Sequence, residues 1–104
     1  MNVLLVCSLG ASSSIMEMRI KAVAEKNGVD MTVQAISVQE VIEKSSEKFD
    51  AVLIAPQIRY MTETIRKNIN QDTVLVNMGI QDYGMINAEN VYKQMMEEIQ
   101  KKNQ

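Results

Sequence analysis

The chain contains no histidine and a single cysteine, Cys7, among its 104 residues. The first absence excludes a histidine general base, a Cys–His nucleophile pair, a phosphohistidine and imidazole metal ligands. The second leaves no partner for an internal disulfide, so the chain does not read as a secreted disulfide scaffold. With neither histidines nor cysteine pairs, a structural zinc site is excluded as well, and no metal or organic cofactor is expected. Tryptophan is absent and aromatics make up 4% of the residues, which removes the stacking platforms of single-strand binders. The net charge of −2 lacks the basic excess of a nucleic-acid partner. No apolar run approaches bilayer-spanning length, so no direct membrane insertion is expected. Met1-Asn2 leads straight into an apolar run, without the basic segment and cleavage site of a secretory signal. A cytoplasmic location is the expectation.

What is present is an alternation of strand-like and helix-like segments with the length of one domain, residues 1–104. A chain of this size buries roughly two-thirds of its unfolded surface, enough for one core without staples. Residues 2–7 are a continuous apolar run, as in a strand buried on both faces. Residues 14–27 read as a helix with Ile15, Met18 and Ala22 on its core stripe, widened by Met16, Ile20 and Val23, and with Gly28 as its stop. Residues 31–36 alternate, giving a strand with one wet face. Ser37 and Glu40 have the spacing of a capping box for a short helix through Val38, Val41 and Ile42.

Residues 51–55 form another buried strand, ended by the only proline, Pro56. Ile58, Met61, Ile65 and Ile69 have the spacing of a third helix. Residues 73–77 are a fourth strand, a loop spans Met78–Gly84, and Ala88, Val91, Met95 and Ile99 mark a final helix. Strict βα alternation predicts an α/β fold: a four-stranded parallel sheet of order 2-1-3-4 with helices on both faces. Ligands bind such sheets beyond the carboxyl ends of the strands, beside strand 1. Cys7 lies there, with Pro56 expected as its neighbour.

Cys7 runs into Ser8-Leu9-Gly10-Ala11-Ser12-Ser13-Ser14 before the helical pattern begins. Small residues let consecutive backbone N–H groups converge as an anion-binding nest, Gly10 accepts a positive φ, and the hydroxyls add donors. A helix N-terminus attracts anions and lowers a thiol pKa. On spacing alone, Ser12–Ser14 can equally be simple helix caps and Cys7 a small core residue. A low-molecular-weight tyrosine phosphatase or arsenate reductase needs an arginine six positions after its cysteine, where this chain has Ser13, and an Asp-Pro general acid, where it has Ala55-Pro56. A thioredoxin centre needs a second cysteine, and a receiver domain needs carboxylates at Val6-Cys7 and Ala55-Pro56. A hydrolytic enzyme of the phosphatase type and a non-catalytic anion sensor stand as alternatives to a site that holds phosphate on sulfur without hydrolysing it.

Three motifs carry a resemblance over nearly the whole chain: Val3-Leu4-Leu5-Val6-Cys7-Ser8-x-Gly10-x-Ser12-x-Ser14, Ala55-Pro56-Gln57-Ile58-Arg59-Tyr60, and Asp82-Tyr83-Gly84. The sequence resembles the IIB component of the lactose/cellobiose (diacetylchitobiose) class of the bacterial sugar phosphotransferase system. Leu9 and Ala11 depart from the alanine and methionine usual in cellobiose-type members. The resemblance implies a flavodoxin-like fold, also that of low-molecular-weight phosphatases. It further implies a relay in which Cys7 takes a phosphoryl group from a IIA phosphohistidine and gives it to a sugar held by a IIC permease. Ser8, Leu9, Gly10, Ala11, Ser12, Ser13 and Ser14 would then hold the phosphoryl oxygens. Gln57, Arg59 and Tyr60, with Asp82 and Tyr83, would flank the site or meet a partner. For Arg59 and Tyr60 the alternative is a solvated helix start, and for Asp82 a helix cap or turn residue rather than a general acid. A monomer is the simplest reading.

Overall fold

The computed structural model describes residues 1–7, 11–43 and 48–102, with the side chains of residues 11–13 outside that description. Its elements are β1 (Asn2–Cys7), α1 (Ala11–Lys26), β2 (Thr32–Ser37), α2 (Val38–Glu43), β3 (Ala51–Ile54), a 3₁₀ segment (Pro56–Met61), α3 (Thr62–Asn68), β4 (Val74–Asn77), α4 (Ile80–Gly84) and α5 (Ala88–Lys102). The strands pair in parallel in the order β2-β1-β3-β4. This is the expected sheet. Helices α1 and α5 pack together over one face, and α2 and α3 over the other.

The apolar runs become the two central strands. Val3 to Cys7 and Ala51 to Ile54 are buried along their whole length, whereas β2 alternates between buried and exposed positions. Each fully buried aliphatic side chain contributes about 1.5–3 kcal/mol through removal from water, so β1 and β3 form the centre of the core. Among the described residues no helix is long and apolar enough to cross a membrane.

Only the widened part of the stripe expected for the first helix faces the core. Met16, Ile20 and Ala24 are the buried positions, while Ile15 is 43% and Met18 66% exposed and Ala22 lies at the surface. Polar residues on either flank of the Met16 stripe make contacts that accompany this rotation. On one side the Glu17 carboxylate accepts the N–H of Ala35, a backbone donor of the edge strand β2, at 3.1 Å. On the other the Arg19 guanidinium donates to the carbonyl of Ile86 at 3.5 Å. With the Ile15–Met18–Ala22 stripe inward, both anchors would point away from these partners.

Other boundaries shift for local reasons. Helix α1 begins at Ala11 rather than Ser14. The third helix is broken in two, because Ile58 has non-helical backbone angles within the 3₁₀ segment that follows Pro56. The expected loop Met78–Gly84 contains the short helix α4, so there are five α-helices among the described residues rather than four. The capping box at Ser37 is present: the Glu40 N–H donates to the Ser37 hydroxyl, and the Ser37 N–H donates back to the Glu40 carboxylate, each at 3.4 Å.

Two helix ends close in the same way with different residues. Gly28, at φ +71°, ends α1 as its Gly28 N–H reaches the Glu25 carbonyl and the Val29 N–H the Ala24 carbonyl. At the end of α4 the left-handed position is filled by Ile86, at φ 52°. Its N–H reaches Tyr83 and the Asn87 N–H reaches Asp82. A β-branched residue is strained there, and its packing against the core accompanies that strain. The Asn87 side chain then caps α5 by accepting the Asn90 N–H at 3.1 Å.

Urea unfolding checks these assignments. Leu53→Ala should lower stability by about 3 kcal/mol, because β3 cannot collapse around the void. Gly28→Ala should cost about 1 kcal/mol through its φ alone, since a Cβ there meets nothing within 4 Å.

Candidate functional site

The site is built at the carboxyl edge of the sheet. Cys7 ends β1 and is 3% exposed, level with Ser37 on β2. On its other side Val6 is level with Ile54, and the Ala55 N–H donates to the Val6 carbonyl at 3.0 Å. Pro56 therefore leaves β3 beside the end of β1, as expected. After Cys7 the chain passes within four residues to the start of α1 at Ala11. The first turn of α1 carries no acidic side chain, so the positive end of a 16-residue helix is not neutralised by its own residues.

Ser8, Leu9 and Gly10 lie outside the described residues, as do the side chains of Ala11, Ser12 and Ser13. The nest expected from that segment therefore has its two ends defined, Cys7 and the backbone of α1. Ser14 sits at the surface of the first turns of α1.

The second motif is brought to the same edge. Pro56–Met61 forms a 3₁₀ turn in which Gln57, Arg59 and Tyr60 are exposed and Ile58 is buried. Two residues that sequence reasoning passed over hold this turn. The Thr62 hydroxyl lies 2.6 Å from the Arg59 carbonyl and 3.1 Å from Asn77 Oδ1, at the end of β4. Asn77 was legible only as the polar residue that ends an apolar strand. Its reach to Thr62 depends on β4 pairing with β3, a non-local fact.

The third motif splits by role. Tyr83 is buried and lines, with Pro56, Gln57, Ile80 and Gly84, an open cleft of about 340 Å³. The Asp82 carboxylate accepts the Asn90 side-chain amide at 2.9 and 3.0 Å, tying α4 to α5. That contact fits the bridging of two helices better than proton donation, and Asp82 lies inside α4 rather than capping it. Among the described residues no three histidine, cysteine or acidic side chains gather where they could hold a metal ion.

The family model for the lactose/cellobiose-specific IIB subunit of the phosphotransferase system matches residues 2–94. The chain is 30% identical over 96 residues to the oligo-beta-mannoside-specific EIIB component of Bacillus subtilis (strain 168), covering 91% of this chain and 92% of that protein. It is 28% identical over 92 residues to the galactose-specific EIIB component of Lactococcus lactis subsp. cremoris (strain MG1363), covering 84% and 85%. The solution structure of a cellobiose-specific phosphotransferase IIB component from Borrelia burgdorferi superposes with a TM-score of 0.71 at 30% identity, over 98% of this chain and 94% of that one. The lactose-specific IIB domain of Streptococcus pneumoniae gives 0.75 at 14% identity, over 94% and 96%, a likeness of fold. The fold is flavodoxin-like, as these neighbours are.

Removing the Asp82 contact separates its two readings. Asp82→Ala should lower the thermal midpoint by a few degrees, as loss of about 1 kcal/mol does in a chain of this size. It should leave phosphoryl uptake by the protein within about twofold, whereas loss of a general acid would cost about a hundredfold or more with the fold intact.

Proposed function

The chain belongs to the lactose/cellobiose-specific IIB family of the phosphotransferase system, and we propose that its own part in that system is to carry the phosphoryl group on Cys7. As a family, these are phosphotransferase components that work with IIA and IIC partners. The observation that carries the reading is the position of Cys7, at the end of β1 and four residues before an un-neutralised helix N-terminus.

In the first step the Cys7 sulfur attacks the phosphorus of a IIA phosphohistidine. The S–P bond forms as the N–P bond breaks, and the thiol proton is made up on the released imidazole. In the second step a hydroxyl of the sugar bound by IIC attacks the same phosphorus. The O–P bond forms, the S–P bond breaks, and the hydroxyl proton returns to the cysteine or solvent. Both steps depend on position and on holding negative charge rather than on a separate base. The α1 N-terminus and the backbone that precedes it supply that stabilisation, with hydroxyls of Ser12 and Ser13 as further donors. Arg59 lies on the flanking turn as the nearby cation from the second motif. No cofactor enters either step. The sugar is of the cellobiose, chitobiose or lactose type, and the protein works as a cytoplasmic monomer that meets its partners transiently.

Intact-protein mass spectrometry tests the carrier role. After incubation with phosphoenolpyruvate, the general phosphotransfer proteins and a IIA of this class, the chain should gain one phosphoryl group. Cys7→Ser should melt like the parent and gain none. Normal labelling of that variant, or free phosphate with no adduct, contradicts the reading. Arg59→Ala should slow transfer about tenfold without a change in thermal midpoint, and unchanged rates to and from the chain would remove Arg59 from the site.

A further inference from the structure

An open sheet leaves one side of each outer strand unpaired, here on β2 and β4. Such a side is a row of N–H and C=O groups to which another strand can add. The two edges differ. Strand β4 has only four residues, and the Arg66 guanidinium covers the carbonyl of Thr73, just before it, at 2.9 Å. Strand β2 has six residues and carries neither a charge nor a proline to discourage pairing. The Thr32 N–H donates inward, to the Met1 carbonyl at 2.8 Å. Alternation along the strand then turns the N–H groups of Val33, Ala35 and Ser37 outward. Two of these three donors are taken by carboxylates from outside the strand. Glu17, on α1, accepts the Ala35 N–H at 3.1 Å, and Glu40, on α2, accepts the Ser37 N–H at 3.4 Å. Lys21, one turn along α1, holds the other Glu17 oxygen at 3.1 Å.

We propose that the outer edge of β2 is an association surface for a second copy of this chain, and that Glu17 keeps it closed. The occupant follows from the strand itself. Two copies of one edge related by a two-fold axis run antiparallel and offer each other the same donors and acceptors. Nothing within Thr32–Ser37 opposes that pairing, so the opposition comes from the helices beside it. The Ala35 N–H lies near the middle of the seam, and a partner's carbonyl reaches it only by displacing the Glu17 carboxylate. A hydrogen bond to a charged acceptor is among the stronger ones to give up. Because Lys21 pairs with Glu17, the closing effect lies in the occupied donor rather than in repulsion between two like charges. Ser37, the last residue of β2, is level with Cys7, so a copy added here would stand beside the strand end on which phosphoryl carriage depends.

Analytical ultracentrifugation of the full chain over a rising concentration series tests this with Glu17→Ala and Glu17→Gln. The parent should sediment as a monomer throughout. Glu17→Ala should associate to a dimer at least about tenfold more strongly than the parent. Glu17→Gln, whose amide oxygen can still accept the Ala35 N–H, should behave as the parent. Adding Ala35→Pro to Glu17→Ala should restore the monomer, because that outward N–H takes no part in pairing with β1. Hydrogen exchange locates the seam, and the Val33 and Ala35 amides should gain protection in the Glu17→Ala dimer. A monomeric Glu17→Ala overturns the proposal. So does a dimer that protects other segments instead, a Glu17→Gln that associates as strongly as Glu17→Ala, or a parent already dimeric through β2. If Glu17→Ala does not melt cooperatively, the parent's Ala35 amide decides: it should exchange far more slowly than an amide open to water, and fast exchange there removes the cover and the proposal with it.

Discussion

Parallel pairing of β1 with both β2 and β3 is the constraint on which the rest of the molecule depends. It buries β1 on both faces and leaves no wet side on which a cysteine, a serine or a loop could sit. Every connection must then cross back over a face, and every strand ends at the same edge. Apart from Asn2 at its far end, the central strands present aliphatic side chains until Cys7, which lies at that edge. Cys7 is the last residue of β1, which is buried from Val3 onward, and stands where that strand leads on toward the start of α1.

Several of the polar side-chain contacts lie at or near this edge. Thr62 and Asn77 fasten the turn that carries Gln57, Arg59 and Tyr60. Asp82 and Asn90 fasten α4 to α5, and Arg19 reaches the strained turn at Ile86. None of these hydrogen bonds is worth more than about 1–2 kcal/mol. Their effect is to fix the orientation of three segments around the end of β1, which is what phosphoryl transfer by positioning requires.

The sheet and its order were legible because hydrophobic runs, alternation and turn residues all agree, and agreement across levels is what specifies a fold. Of the candidate site, the sequence named Cys7 and three motifs, and the fold brings Cys7 and the Pro56 turn to the same edge of the sheet. What was not legible has particular causes. Helix α1 carries apolar residues on two stripes, Met16–Ile20–Ala24 and Ile15–Met18–Ala22, and periodicity cannot choose between them. The orientation that buries the first stripe goes with contacts of Glu17 and Arg19 whose partners, on β2 and after α4, are distant in the sequence. The helix α4 is too short to show a period, and Ile86 is a residue from which no left-handed turn would be read.

The central claim is that phosphorus bonds to sulfur at the end of β1. Phosphorus-31 NMR of the protein phosphorylated by its donor reads that bond directly. The account predicts one resonance in the thiophosphate region, which disappears as IIC-bound sugar is phosphorylated. A resonance of a phosphate ester, or inorganic phosphate accumulating without any protein-bound signal, would contradict it.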